Sequence, residues 1–407
     1  VSVIQRKTLR KIESNTRYRG CTFDVSDHVD RVEDSHFENC SFRNQRLVLQ
    51  KMRNCSFRFC NFVDVIVERA ENFVFHKCHI YAMKIPPNAK VENFDFLQEV
   101  NISHLDLSCG ICPMEKLSPA IGKLTSLLTL SLSSNALHDL PQEIGNLSQL
   151  QELDISNNVF EVYPLQINSL TSLHKLNLSK NHLCDLSPQI EALEFLEEIN
   201  VRDNRLSDFP PQMGKLYNLK KLNASGNRLL KLPETLGCLG SLQTLILNNN
   251  YLSQLPPQLG DLTFLRTLFV NDNNLRELPA QVRGLQNLRK LYLIDNNITN
   301  LPQEIGDMTA LEELRLSRNK LLLIPRELGN LQQLKSLWLN NNRLLSLPLE
   351  IQNLKKLRML DVSNNQLESL PLSVTRLKSL QQLGISNNTL RNEGEVKNRL
   401  SHYVTVY

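Results

Sequence analysis

The sequence predicts an α/β solenoid, a curved array of about thirteen coils on a 23-residue period, preceded by a small β-helical piece with a five-residue rhythm. Three observations predict it. From Leu127 onward the frame L-x-x-L-x-L-x-x-N-x-L returns every 23 residues. Its Asn column runs without an insertion from Asn135 through Asn158 and Asn181 to Asn388. Upstream, Phe37, Phe42, Leu47, Met52, Phe57, Phe62 and Val67 stand five apart, each two residues behind Ser35, Cys40, Gln45, Gln50, Cys55, Cys60 or Val65.

Taken in order, residues 1–20 read as an extension and 21–97 as a capping domain. In the latter a bulky and a small side chain alternate in each run of five residues. After a three-residue slip the rhythm resumes at Phe73/Phe75, Cys78/Ile80 and Met83/Ile85, then Phe94/Phe96. This segment resembles the pentapeptide-repeat β-helix, although the acidic and leucine positions of that family are poorly kept. The resemblance implies a parallel coil whose end stacks on the following array and covers its first strand, which otherwise exposes unpaired backbone.

Residues 98–390 carry the long repeat. Each L-x-L alternates as a short strand with one buried face, and the Asn that follows can bond turn backbone. A degenerate first unit keeps Ile102, Leu105 and Leu107 but has Gly110 at the Asn position. After each turn comes Leu-Pro, as at Leu140-Pro141 and Leu301-Pro302, so the return path is expected to be irregular or helical rather than sheet. The motifs Leu140-Pro-Gln-Glu-Ile-Gly-Asn-Leu147 and Leu301-Pro-Gln-Glu-Ile-Gly-Asp-Met308 resemble the L-P-x-x-I-G-x-L signature of intracellular leucine-rich-repeat proteins of the Ras-group type. Similar repeats occur in bacterial leucine-rich-repeat effectors. That resemblance implies scaffolds, including those of small-GTPase signalling. Residues 391–407 read as a terminal cap.

Composition narrows the function. Charged residues make up 22% and the net charge of +4 is spread along the chain, which speaks against a nucleic-acid stripe or a polybasic membrane anchor. No apolar run approaches the roughly 18 residues of a spanning helix, so no membrane insertion is expected. Behind Val1-Ser-Val-Ile-Gln-Arg-Lys7 there is no apolar leader core, and the nine cysteines lack the clusters that flank secreted arrays. A cytoplasmic location is expected, that of a host cell for an effector. Cys109-Gly-Ile-Cys112 has redox or metal spacing, yet no second pair accompanies it and Cys112 falls on an apolar repeat position. Cys21, Cys40, Cys55, Cys60 and Cys78 fall at or near small inward positions and read as structural thiols. No phosphate loop, nucleophile elbow or zinc-protease motif is present, so neither an enzyme nor a cofactor is expected.

The expected activity is protein binding. The residue between the leucines of L-x-L faces the concave side, and this column is Asn, Ser or Asp except for Ile246, Phe269, Tyr292, Arg315 and Trp338, and the terminal Gly384. At roughly 4.8 Å per strand that stripe is about 20 Å long. Ile294 extends it sideways, and Asp272, Lys290, Asp295 and Arg318 form a polar rim. Aligned aromatic and Arg anchors are the usual residues of interface hot spots. A ladder that merely stabilises the sheet is the competing reading. A second, weaker patch is Lys175, Lys180, Glu198, Arg202, Asp203 and Lys221. Function is expected to be that of a scaffold or adaptor, with a bacterial effector or a pattern-recognition ectodomain as alternatives. The partner and the oligomeric state are not encoded in any motif.

Overall fold

A computed structural model describes residues 2–24, 28–29, 31–43, 47–50, 52–67, 70–84, 97–108, 113–400 and 402–407. Gln45, Ile85, Phe94, Phe96, Gly110 and the Cys109/Cys112 pair lie outside them. The chain divides into two compact units, Val1–Leu183 with Ala192–Leu196, and Cys184–Glu191 with Glu197–Tyr407.

In the first unit the strands Thr16–Arg19, His36–Glu38, Met52–Arg58 and Ala70–His76 pair in parallel, one beside the next. Their register places Tyr18, Phe37, Phe57 and Phe75 in line. The rings stack at centroid distances of 4.9, 4.5 and 4.8 Å. A second column, Phe23, Phe42 and Phe62, stacks at 4.7 and 4.5 Å and meets the first edge-on. Such pairs are favoured beyond their buried area. Cys40, Cys60 and Cys78 fill the buried small positions, and the Cys60 and Cys78 thiols donate to the carbonyls of Arg58 and Phe57 at 3.3 and 3.4 Å. Tyr18 and Phe23, ahead of the rhythm as read from Phe37, belong to the same columns.

A second run of parallel strands in this unit passes through Asn61–Val67, His79–Lys84 and Asn101–Asp106 and continues into Thr129–Ser131, Glu152–Asp154 and Lys175–Asn177. The first strand of the long repeat is therefore paired on both sides. Leu105 pairs with Leu130, 25 positions on, whereas Leu130 pairs with Leu153, 23 positions on. The junction unit thus holds two extra residues.

The second unit repeats one coil. Strands from Glu198–Asn200 to Gln382–Gly384 are parallel, each residue pairing with the one 23 positions on, as Leu245 with Leu268 and Leu268 with Leu291. The leucines are buried, and the column Asn closes the turn. Asn296 Nδ2 donates to Val270 O at 2.8 Å and Leu293 O at 3.2 Å, while its Oδ1 accepts from Leu275 N at 3.0 Å. Three backbone groups of two coils are thereby satisfied away from water. The residue before each Asn is left-handed, for example Asn249 at φ 54° and Asp272 at φ 54°, a conformation that Asn and Asp tolerate.

From Pro211–Lys215 to Leu372–Arg376 the return path of each coil is one short 3₁₀ helix, such as Gln303–Asp307 behind Pro302. The solenoid is thus of strand and 3₁₀ type, and among the described residues Glu393–Arg399 is the one α-helix. Five residues suffice for only one turn, and the tight i→i+3 geometry suits so short a piece. Within it, Gly306 lies so close to the Glu327 carbonyl of the next coil that a methyl group could not be accommodated without movement.

Candidate functional site

The column singled out in the sequence lies wholly in the second unit. Flanking leucines fix its direction: Leu268 and Val270, Leu291 and Leu293, Leu314 and Leu316, Leu337 and Leu339 are buried, so the residue between each pair emerges from the opposite face. Register brings Ile246 beside Phe269, Phe269 beside Tyr292, Tyr292 beside Arg315 and Arg315 beside Trp338. All five side chains are half-buried. Asn223 precedes the stripe, and Asp361 ends it, turned in to accept from Ser363 N at 3.0 Å.

Phe269 and Tyr292 stack at 4.2 Å and 13°. The Arg315 guanidinium lies 4.4 Å from the Tyr292 ring centre and 5.7 Å from that of Trp338, within reach of cation–π attraction to both. The Tyr292 hydroxyl donates to Glu313, whose carboxylate also faces Lys290 Nζ at 3.3 Å and Arg315 Nη2 at 3.5 Å. Burial pushes the Tyr292 phenol up to about 12, and the hydrogen bond to the Glu313 carboxylate adds to the rise. Burial acts on Glu313 in the same direction, but the Tyr292 hydroxyl and Lys290 outweigh it and hold this carboxyl below its ordinary value.

The expected rim is divided. Asp272, Asp295 and Arg318 occupy successive left-handed turns at φ 54°, 53° and 56°, and Arg318 pairs with Asp295 at 3.5 Å. Burial and the neighbouring Asp295 raise the Asp272 carboxyl. Lys290 instead stands in the strand, one residue ahead of Leu291, and joins Glu313. Ile294 is half-buried beyond the stripe, its N–H donating to Asn271 Oδ1 at 2.8 Å. Of the weaker polar set, Lys175 pairs with Glu152 at 2.7 Å in the first unit, and in the second Lys221 pairs with Glu198 at 3.7 Å and Arg202 with Asp203 at 3.1 Å. Among the described residues no group of three or more His, Cys, Asp or Glu side chains is placed to hold a metal ion, and no helix is long and apolar enough to cross a membrane.

A leucine-rich repeat region signature matches residues 234–323 and 324–398, and a leucine rich repeat signature matches 194–252. Among solved structures, the chain is similar to a leucine-rich-repeat protein of Leptospira interrogans at 33% identity and a TM-score of 0.65, over 81% of this chain and 90% of that one. The chain belongs to the leucine-rich-repeat family. This leucine-rich-repeat chain also shares its fold with an internalin of Listeria monocytogenes, at 24% identity and a TM-score of 0.62 over 70% of this chain and 82% of that one. The plant peptide hormone receptor RGFR1, solved in complex with RGF2, matches at 22% identity and a TM-score of 0.61 over all of this chain and 72% of its own. No curated protein matches the sequence. Leucine-rich-repeat proteins generally act by binding other proteins and are typically not catalysts.

Sequence reasoning missed Glu313, the acceptor at the centre of this leucine-rich-repeat face. Its signal was available: with a 23-residue step Glu313 lands beside Lys290, and two positions from Arg315 it shares that residue's strand face.

Proposed function

We propose that this chain is a non-catalytic scaffold or adaptor that holds a partner protein on the face formed by Ile246, Phe269, Tyr292, Ile294, Arg315 and Trp338. The supporting observation is contiguity: four large apolar side chains and one Arg occupy five successive strands at half burial, while Asn223 and Asp361 bound them. The Phe269–Tyr292 stack contributes about 0.2–1 kcal/mol to the sheet, which does not explain why Ile246 and Trp338 flank it. Asp272, Lys290, Asp295 and Arg318 supply a polar rim that orients the partner. We read the array as about thirteen repeats of 23 residues across 98–390. In the same reading 21–97 is a pentapeptide-like β-helical cap, which Thr16–Arg19 of the 1–20 extension joins by pairing with His36–Glu38, and 391–407 is a terminal cap. The Ras-group signature favours intracellular signalling in a reducing cytoplasm, where Cys60 and Cys78 keep the S–H groups that serve buried carbonyls.

The test is affinity capture with the intact chain beside a Phe269→Ala/Trp338→Ala variant checked for folding by circular dichroism. Loss of two such anchors is expected to weaken the partner by about 2–4 kcal/mol or more. Equal capture by both proteins, with the variant less stable, would make the stripe a structural ladder and remove it as the binding face.

A further inference from the structure

The residues bordering the stripe carry unlike charge on its two sides. Three positions ahead of Phe269, Tyr292, Arg315, Trp338 and the bounding Asp361, successive coils place Arg266, Arg289, Glu312, Lys335 and Arg358, linked by backbone hydrogen bonds of 2.8–2.9 Å from each to the one before. Glu312 is shared between Lys335 at 2.5 Å and Arg289 at 3.7 Å. Arg266 and Arg358, at the ends, are exposed, and among the described residues no carboxylate lies within ion-pair distance of either. On the opposite border stand Asp272, Asp295 and Arg318, the last two paired at 3.5 Å, so that this side carries one carboxylate more than it has cations.

Arg315 adds a second, independent observation. A guanidinium carries five N–H donors, yet the one polar approach recorded for this head group is the 3.5 Å pair with Glu313, and its Nε is buried with no acceptor among the described residues. Held between the rings of Tyr292 and Trp338, the side chain is still 38% exposed. Its five donors outnumber the single carboxylate beside it, so an arriving carboxylate finds a planar, preoriented cation that it shares with Glu313.

We infer that the occupant of this face is an acidic protein segment, one that sets Asp or Glu carboxylates against Arg315 and the Arg266–Arg358 border while its aliphatic or aromatic side chains lie on Ile246, Phe269 and Trp338. The inference rests on the stripe being the binding face and adds the chemistry of what it binds. Its orientation follows: the carboxylate side of the segment lies toward Arg266 and Arg358, and any basic group lies toward Asp272 and Asp295. Charge of this kind sets partner choice and association rate, and it weakens with salt.

The test uses three short fluorescent peptides of one pattern, Leu and Phe alternating with Glu, with Gln or with Lys, titrated against the full chain by anisotropy. The Glu peptide is expected to bind about tenfold or more tightly than the Gln peptide, and the Lys peptide weakest. Arg266→Glu/Arg358→Glu, both exposed, weakens the Glu peptide more than the Gln peptide and so removes that advantage. Arg315→Lys, which keeps the charge and loses the planar fork, weakens the Glu peptide more than the Gln peptide. Equal binding of Glu and Gln peptides, no binding of the Glu peptide, or a preference that survives the double reversal overturns the inference. If both peptides still weaken in Phe269→Ala/Trp338→Ala, the binding face itself stands. A Glu peptide indifferent to Phe269→Ala/Trp338→Ala but lost in the charge reversal sinks the face as well.

Discussion

Tyr292 is held by three unlike neighbours: the Phe269 ring on one side, the Arg315 guanidinium on the other, and the Glu313 carboxylate at its hydroxyl. Burial, with that hydrogen bond behind it, moves its ionisation from the ordinary 10.0 to about 12. Because the folded value is the higher one, the unfolded chain loses this proton first as pH rises. The neutral phenol therefore stabilises the fold fully below 10.0, and that contribution declines between 10.0 and about 12. An ultraviolet titration of the intact chain, compared with Tyr292→Phe, should show one tyrosine ionising near about 12. Glu313→Gln should return it toward the ordinary value. A Tyr292 that ionises with the exposed tyrosines would mean that the hydroxyl is not bonded as described. The stripe residues were legible because a single column of the repeat changes from polar to apolar at Ile246 and back at Asp361. Glu313 was passed over because it stands in the neighbouring column, two residues from Arg315 and opposite Lys290, where no run of apolar side chains draws attention to it.

At the scale of the element, one coil is a three-residue strand, an Asn-closed turn and a 3₁₀ turn behind proline. The strand and the Asn were legible from alternation and from the column. The kind of helix was not, because Leu-Pro followed by a short apolar-polar stretch suits the start of an α-helix as well as a 3₁₀ turn. Close approach of coils decides it: Gly306 faces the Glu327 carbonyl and Gly329 that of Glu350. A wider return path would separate carbonyl and glycine and open the packing. Gly306→Ala is therefore expected to destabilise the chain by about 1–3 kcal/mol, as overpacking does. Gly240→Ala, where no atom lies within 4 Å of the added methyl, should change stability by less than about 1 kcal/mol. Urea midpoints of the two variants check this, and equal midpoints would show that the coils are free to slide apart.

On the scale of the whole molecule the two units bury their cores by different means. The first begins with ring columns and small buried thiols and passes into leucine coils tied by Asn135, Asn158 and Asn181, while the second is a leucine lattice tied by asparagines throughout. Thiol accessibility reads out this contrast. Cys184 and Cys238 are exposed, whereas Cys21, Cys40, Cys55, Cys60 and Cys78 are buried. Alkylation of the native protein followed by peptide mass spectrometry should mark the first two at once and the other five only on unfolding. Rapid labelling of Cys60 would show that the ring columns do not close around it. The leucine-rich-repeat character of the array was legible since a frame that returns coil after coil outweighs any local ambiguity. The front segment was less so: Tyr18 and Phe23 sit in its columns, but a rhythm detected from Phe37 carries no marker of where it starts.

The uniform step between strand partners gives the chain a second reading frame, one counted in coils rather than codons. Removing or duplicating 23 residues returns every leucine, every column Asn and every left-handed turn to an equivalent neighbour. A slip of one residue within a strand sends its core leucine to the open face, whereas the two extra residues of the junction coil leave Leu105 beside Leu130 and the Asn135 amide 3.0 Å from Leu107 O. The gene can therefore lengthen or shorten the array by unequal exchange of whole units, while the stripe from Ile246 to Trp338, being assembled from five of them, is redrawn each time one is gained or lost within it.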